Sequence, residues 1–228
     1  MGKIIIQNRT TKDPITLIGE EAGICWGADT SDPVKNYKRG MDCINNQHGR
    51  TWEFPDVYMT IDGYSARVIR ELYTHIGGAP TRLQASTRYI NYTKDDGFEY
   101  VVPHSIESNA EADRLYTDVM EIINRACFTL ENEYGIKRED AAMLLPLGMS
   151  TKMVGKYNLR TLADMSEQRE CTRAYWEFRE LFRDLKKALS EYSEEWATLV
   201  DILFKPKCEK LGYCPEKKPC ARSLKFNT

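Results

Sequence analysis

Three short stretches of the chain show the spacing of β-strands. Residues 3–7 form a β-branched run, residues 57–61 alternate between apolar and polar side chains, and residues 98–102 form an apolar run before Pro103. Turn-forming residues follow each stretch. The pattern therefore predicts a small sheet with few strands.

Longer stretches follow the helical period. Helices are predicted over residues 65–76, over residues 105–135 and from residue 158 to about residue 192. The second helix is predicted to bury one apolar face, formed by Ala112, Leu115, Val119, Ile122, Ile123, Ala126 and Leu130. Helices therefore dominate the predicted structure.

These elements predict an α/β (α+β) fold, a single helix-rich domain with a small sheet over residues 1–204. Hydrophobic residues make up 42% and charged residues 29% of the 228 residues, proportions typical of a globular protein. A Lys- and Cys-rich tail over residues 205–228 follows, and we expect it to extend over the surface.

Composition and charge exclude several classes of protein. No apolar run approaches the roughly 18 residues that cross a bilayer, so we expect no membrane association. The first residues lack the pattern of a signal peptide, and the seven cysteines are an odd number, so we expect a cytoplasmic protein with reduced thiols. The net charge of −2 argues against a bulk nucleic-acid partner.

Motifs of common hydrolases and nucleotide-binding loops are absent. The sequence contains no HExxH, GxSxG, GxxxxGK[ST] or GxGxxG pattern. Cys208, Cys214 and Cys220 are regularly spaced but lack the CxxC pairs of zinc ribbons, so we expect no metal site.

The window at residues 80–92 is unusual in composition. It places two arginines and a glutamine among hydroxyl-bearing side chains and tyrosines, directly after a helix that ends at a Gly-Gly pair. Arginine pairs with phosphate through two parallel hydrogen bonds, and hydroxyl groups complete such a site. The window is typical of a phosphate-binding segment, with a solvated loop or edge strand as the alternative.

A second window at residues 158–173 carries polar side chains on one predicted helix. Arg169 interrupts the apolar face, which is costly unless its guanidinium meets an anion or a hydrogen-bond acceptor. An ordinary salt-bridged helix face is the alternative.

Together the two windows resemble flavin-dependent thymidylate synthases, a family with the motif RHRxxSxNExSxRY. The S-x-R-Y end stands here at residues 86–89, and Gln84 occupies the place of the motif's Glu. Residues 74–76 (Thr-His-Ile) stand where RHR is expected, followed by two extra residues. Upstream, residues 63–65 and 71–73 match the helix that leads into RHR.

Further matches lie at family spacing. His48, followed by Gly49 and Arg50, is similar to the family's earlier His segment. Residues 145–147 and 158–160 resemble its L-P and N-x-R elements, and Arg169 falls where the substrate arginine lies. The resemblance covers roughly residues 40–185.

The resemblance implies an α/β homotetramer with active sites at subunit interfaces. FAD would be the cofactor, methylenetetrahydrofolate the one-carbon donor and NADPH the reductant, with dUMP as the methyl acceptor. It also implies residue roles. Arg169 would be catalytic, stabilising negative charge on the uracil. The residues implied for dUMP are Glu71, Thr74, Gln84, Ala85, Ser86, Thr87, Arg88 and Arg169. Those implied for FAD are His48, Arg50, His75, Arg82, Gln84, Asn158, Arg160 and Asp164.

The sequence departs from the family pattern at three arginines. Thr74 and Ile76 replace both arginines of RHR, and Ala142 stands where an arginine precedes L-P. Arg82, beside the two extra residues, is the expected replacement guanidinium. These departures keep two alternatives open: a same-fold enzyme that modifies C5 of another uridine nucleotide, and a nucleotide-binding module without catalysis.

Overall fold

The computed structural model describes residues 2–93 and 97–220. Its strands are β1 (Lys3–Ile6), β2 (Asp56–Ser65), β3 (Thr81–Gln84) and β4 (Ser150–Asn158), which form one sheet in the order β1-β2-β4-β3. Its helices are α1 (Pro14–Cys25), α2 (Pro33–Asn45), α3 (Ala66–Leu72), α4 (His104–Glu107), α5 (Ala110–Asn132), α6 (Arg138–Ala141), α7 (Leu159–Arg169), α8 (Trp176–Tyr192), α9 (Glu194–Leu203) and α10 (Lys207–Leu211). The predicted helix-rich α/β class is confirmed.

The chain divides into two compact units. The first unit contains Gly2, Asp62–Leu72 and Leu83–Met153. The second unit contains Lys3–Ile61, Tyr73–Arg82 and the described residues from Val154 onward.

The sheet was only partly predictable from apolar spacing. β1 and β2 lie where they were expected, but the predicted strand at 98–102 contributes only an isolated antiparallel bridge between Tyr100 and Met149. β4 was not predicted, although its side chains alternate between buried and more exposed. Its polar positions include Lys152, which pairs with Asp62 at 2.9 Å. Because charged residues interrupt β4, a search for apolar runs does not find this strand.

The second unit is centred on helix α8. Phe178, Phe182 and Leu185 on this helix are almost completely buried. Helix α9 adds Trp196, whose indole Nε1 donates to the Thr11 carbonyl at 2.7 Å. Glu195 of α9 accepts hydrogen bonds from the first backbone N–H groups of α1. A carboxylate from a distant helix thus caps α1, whose own N-cap residue makes no side-chain cap.

Helices α1 and α2 pack unusually closely. A Cβ atom at Gly19 would overlap the carbonyl of Asn36, and one at Gly40 would overlap the carbonyl of Ile15. Glycine at both positions lets the two backbones touch. Asp32 caps α2 by accepting hydrogen bonds from the N–H groups of Val34 and Lys35.

In the first unit, the packed face of helix α5 overlaps the predicted one only in part, since Ile123 of the predicted face packs against a buried apolar cluster. Its buried residues are Met120 and Cys127, and Met120 packs with Phe98 and Met149 in a small apolar cluster. Leu115, Val119 and Ile122 of the predicted face are exposed instead, at 65%, 42% and 55%. The prediction was wrong at these three positions because an apolar helical face shows only that burial is favourable, without showing what covers it.

The C-terminal tail is more ordered than expected. It forms the short helix α10, and Cys214 is buried. Lys210 pairs with Glu167 at 2.9 Å and Arg173 pairs with Glu216 at 3.2 Å. Residues 221–228 of the predicted tail lie outside the described residues. No helix within the described part of the chain has the length and apolarity to cross a bilayer.

Helix α1 offers a matched test of the packing. Ile18 is completely buried, whereas Ile24 on the same helix is 69% exposed. Ile18→Ala should lower the free energy of unfolding by about 2–5 kcal/mol, because it leaves a cavity between packed helices. Ile24→Ala should change it by less than about 0.5 kcal/mol. Urea unfolding measures both, and equal losses would contradict the α1 packing described here.

Candidate active site

The junction between β4 and α7 carries several of the predicted site residues. Asn158 ends the strand and caps the helix, since its side chain accepts a hydrogen bond from the Thr161 N–H at 2.9 Å. Arg160 and Asp164 lie on the first two turns of α7, and Arg169 is its last residue. One strand-to-helix junction thus fixes the start of the polar helix.

A loop that follows Tyr73 lies against the start of α7. The Thr161 hydroxyl donates to the Gly77 carbonyl at 2.9 Å. Gly78 has a φ of +69°, and a Cβ there would overlap the Thr161 hydroxyl. Gly77 and Gly78 therefore pack closely against the start of α7, where a larger side chain at Gly78 would not fit. This contact places His75 near α7.

Arg169 and His75 form a hydrogen-bonded pair in the second unit. The Arg169 Nε donates to His75 Nε2 at 2.8 Å, and Arg169 Nη2 lies 3.5 Å from the Thr74 hydroxyl. The guanidinium carbon lies 4.6 Å from the centre of the Phe178 ring, a cation–π contact. The same ring meets the His75 imidazole edge-on, with the ring centres 6.0 Å apart. Arg169 is thus held from three sides.

The surroundings of His75 keep its imidazole neutral. Burial, followed by the positive charges of Arg169 and Arg82, lowers the pKa of His75 from 6.5 to about 4. A neutral imidazole is the only form that accepts the Arg169 hydrogen bond at Nε2, which assigns the ring proton to Nδ1.

Arg82 supports the same loop from strand β3. Its guanidinium donates to the His75 carbonyl at 3.2 Å and stacks over the Tyr73 ring at 4.5 Å. The buried Tyr157 hydroxyl makes no hydrogen bond to the described residues, and burial raises the pKa of that phenol despite the nearby Arg82 charge. Arg82 thus contacts the loop through the His75 carbonyl and the Tyr73 ring.

Two concave surfaces lie beside these residues in the second unit. A cavity of about 290 Å³ is lined by Thr74, His75, Ile76, Gly77, Thr161, Asp164, Met165 and Gln168. Burial, and then repulsion from Glu167, raises the pKa of the Asp164 carboxyl. A groove of about 480 Å³ includes Arg169 and the four cysteines Cys171, Cys208, Cys214 and Cys220. Among the described residues, no three His, Cys, Asp or Glu side chains are arranged to hold a metal ion.

A further polar group surrounds Glu53. Its carboxylate pairs with Arg160 at 2.7 Å and with Arg50 at 3.7 Å. His48 is exposed just before this segment. The buried Trp52 Nε1 has no hydrogen-bond acceptor among the described residues. Arg50 and Arg160, which are distant in sequence, are thus brought to one carboxylate.

The first unit holds residues 83–92 of the predicted phosphate-binding window. After strand β3, the Ala85 N–H donates to the Lys152 carbonyl at 2.8 Å, and Gln84 reaches the Thr151 hydroxyl at 3.4 Å. The Ser86 hydroxyl accepts a hydrogen bond from the Arg88 N–H at 3.2 Å. Ser86, Thr87 and Arg88 thus form a turn, and the Arg88 side chain is exposed. Glu71 lies in the same unit, near the end of α3.

Sequence reasoning missed Arg138, which supports this turn. Its Nη1 donates to the Tyr89 carbonyl at 3.2 Å, and its Nε and Nη2 bind Glu131 at 2.9 and 2.6 Å. Arg138 and Ala142 line the same small pocket. The Arg138 guanidinium therefore stands four residues before Ala142, where the family arginine was expected. An arginine this close to the expected position is the signal by which the sequence could have revealed it.

Comparisons with known proteins identify the family. The family described as "Thymidylate synthase complementing protein" matches residues 8–193. The flavin-dependent thymidylate synthase of Pyrococcus horikoshii is 34% identical over 177 residues, which cover 75% of this chain and 70% of that protein. The chain belongs to the flavin-dependent thymidylate synthase family. The predicted family and enzyme class are confirmed.

Solved structures show the fold of this thymidylate synthase family. ThyX of Helicobacter pylori, complexed with FAD and dUMP, matches with a TM-score of 0.67 at 19% identity over 88% of this chain and 99% of that chain. The UMP/dUMP methylase PolB of Streptomyces cacaoi, bound with 5-Br dUMP, matches with a TM-score of 0.72 at 14% identity over 88% and 95%. At these identities the likeness establishes the fold alone.

The lowered pKa of His75 predicts a pH effect on stability. Above pH 6.5 the histidine is neutral in both the folded and unfolded chain, and below that pH only the unfolded chain takes up the proton until the pH reaches about 4. As the pH is lowered from 6.5 to about 4, the free energy of unfolding of the wild type should therefore fall relative to that of His75→Gln. Urea unfolding at several pH values measures the difference between the two proteins, and a difference that stays constant would contradict the assignment.

Proposed function

We propose that this chain catalyses the reductive methylation of dUMP to dTMP, with FAD as cofactor, methylenetetrahydrofolate as one-carbon donor and NADPH as reductant. The main structural support for this proposal is that His75 and Phe178 hold the Arg169 guanidinium in the wall of a groove. Family membership supports the same activity.

Arg169 is the proposed catalytic residue. A uracil ring that is activated to attack through C5 carries enolate-like negative charge on its oxygen atoms, and a fixed guanidinium stabilises that charge without reorganising. The hydrogen bond from Nε to His75 and the Phe178 ring restrict the guanidinium before substrate arrives. Such preorganisation favours the transition state over the ground state.

Each unit by itself carries side chains that the resemblance implies for dUMP. In the first unit, Ser86 and Arg88 would bind the phosphate, because a hydroxyl and an exposed guanidinium on one turn suit a dianion. Glu71, Gln84, Ala85 and Thr87 are proposed on the resemblance alone. In the second unit, Thr74 reaches Arg169 and is proposed with it.

The residues proposed for FAD fit a large cofactor that carries phosphate. Arg50 and Arg160 supply cationic donors around Glu53, and Trp52 offers a buried indole donor that lacks an acceptor among the described residues. The remaining proposed contacts are His48, His75, Arg82, Gln84, Asn158 and Asp164. When bound, FAD would supply the redox chemistry of the reaction, and these residues would bind and orient it.

A second candidate substrate is another uridine nucleotide. Thr74, Ile76 and Ala142 replace arginines of the family pattern, and the structural neighbour PolB is a UMP/dUMP methylase. Turnover assays with dUMP and UMP in parallel decide between the two substrates. Omission of methylenetetrahydrofolate and of NADPH in turn tests both co-substrates. Purified protein that holds no flavin and turns over neither nucleotide would favour a binding module without catalysis.

We also propose a cytoplasmic homotetramer whose active sites form at subunit interfaces. The cavity beside His75, at about 290 Å³, is at the lower limit of small-molecule sites and too small for a dinucleotide cofactor alone. The exposed apolar face of α5, formed by Leu115, Val119 and Ile122, is the surface most suited to a second copy. The odd number of cysteines suits a reducing compartment.

Loss of Arg169 should abolish turnover. Arg169→Ala removes the charge that stabilises the uracil oxygens, and kcat should fall by at least about 100-fold, as for the loss of a single oxyanion donor. FAD content, read from flavin absorbance, should stay at the wild-type level. Arg183→Ala is the control, since Arg183 is exposed on α8 and pairs only weakly with Glu180. An unimpaired rate in Arg169→Ala would refute the catalytic role.

A charge on the α5 face should dissociate the tetramer. Ile122→Glu places a carboxylate at the centre of the exposed apolar face, where an interface would have to desolvate it. Light scattering should give four times the 26.3 kDa monomer mass for the wild type and a smaller species for the variant. Lys187→Glu, at an exposed position on α8 and not on α5, should keep the wild-type mass. A wild-type monomer would overturn the proposed assembly.

A further inference from the structure

We infer that His75 acts as the positioning residue for Arg169, holding the guanidinium in the orientation that meets the uracil. This inference rests on the proposed function, and it gives His75 a role toward the catalytic arginine besides the flavin contact that the family resemblance implies. The imidazole acts through Arg169 and touches no reacting atom.

The geometry makes His75 an acceptor for one particular guanidinium nitrogen. Arg169 Nε donates to His75 Nε2 at 2.8 Å, a short hydrogen bond for two nitrogen atoms. The Nε–H and one N–H of Nη2 lie on the same edge of the planar guanidinium, and this edge faces His75 and the Thr74 hydroxyl. A substrate oxygen would therefore meet a guanidinium whose plane is already set.

A second contact fixes the tilt of the same plane. Phe178 is completely buried, and its ring centre lies 4.6 Å from the Arg169 guanidinium carbon. The ring also meets His75 edge-on. An acceptor on one edge and an aromatic ring on one face leave the guanidinium little freedom to rotate.

The charges around His75 preserve its role as an acceptor. Arg169 contacts the imidazole directly, and Arg82 binds the His75 carbonyl at 3.2 Å. A protonated imidazole would place a third positive charge between two guanidinium groups and would have no lone pair to offer Arg169. Burial, followed by the positive charges of Arg169 and Arg82, lowers the pKa of His75 to about 4.

The first experiment tests the pair without relying on turnover. Only three histidines exist in the chain, His48, His75 and His104, so NMR titration resolves their imidazoles, and His75→Gln assigns the signal. Arg169→Ala should move the titration of His75 toward its ordinary pKa of 6.5, because both the hydrogen bond and the charge are lost. An unchanged His75 titration in Arg169→Ala would show that the pair does not form and would overturn the inference.

The second experiment separates positioning from flavin binding. In His75→Gln the side-chain oxygen can replace Nε2 as acceptor, whereas His75→Leu removes the acceptor. We expect kcat to fall by at least about tenfold in His75→Leu and by no more than about threefold in His75→Gln, where tenfold corresponds to about 1.4 kcal/mol of transition-state stabilisation. Rates are compared per bound FAD, which flavin absorbance measures in both variants. Equal rates per bound FAD in His75→Leu and His75→Gln would contradict the inference.

A double-mutant cycle completes the test. If His75 acts only through Arg169, His75→Leu should weaken dUMP binding in the wild type but have no further effect in Arg169→Ala. Calorimetric titration with dUMP and with UMP measures this coupling even in a protein without turnover. Independent, additive losses would contradict the inference. A wild type that binds nucleotide and shows the His75–Arg169 coupling but makes no dTMP would instead refute the proposed function.

Discussion

The burial of Phe178 beneath Arg169 and His75 is the contact on which the candidate site depends. Phe178 belongs to the apolar face of α8 that forms the core of the second unit, and its ring also touches the two polar side chains. Core packing and guanidinium orientation are therefore set by the same residue. A shift of α8 along its axis would disturb both, so stability and chemistry are coupled at this point.

Electrostatics explain why the arginine-poor version of the family motif is workable here. Arg82 and Arg169 already flank His75. Thr74 and Ile76 are exposed beside the half-buried His75, and neither adds a further positive charge next to these two guanidinium groups. The net charge of −2 for the whole chain does not show that positive charges cluster at this place. In the first unit, the Glu131 carboxylate neutralises the charge of Arg138, and Arg138 supports the turn that carries Arg88.

The sequence predicted site residues well where a residue type is rarely tolerated in its surroundings without a specific contact. It predicted burial poorly where burial depends on which other element covers a face. Arg169 stood out because an arginine on an apolar helical face needs an acceptor, and the structure supplies His75. Strand β4 was missed because paired lysines such as Lys152 mask its alternation. The face of α5 was misassigned because periodicity cannot distinguish a buried face from an exposed one. The contact between Gly77 and Thr161 joins residues far apart in sequence, which single-sequence patterns do not encode.

The close glycine contact between α1 and α2 also bears on how the chain folds. The two helices are separated by a short connection, so bringing them together costs little loop-closure entropy. Contacts of this local kind form quickly, whereas β1 and α8 join residues from opposite ends of the sequence and must wait for most of the chain. During synthesis, the helical pair can assemble as soon as both glycines have emerged, and it then presents a preformed surface to the helices made last.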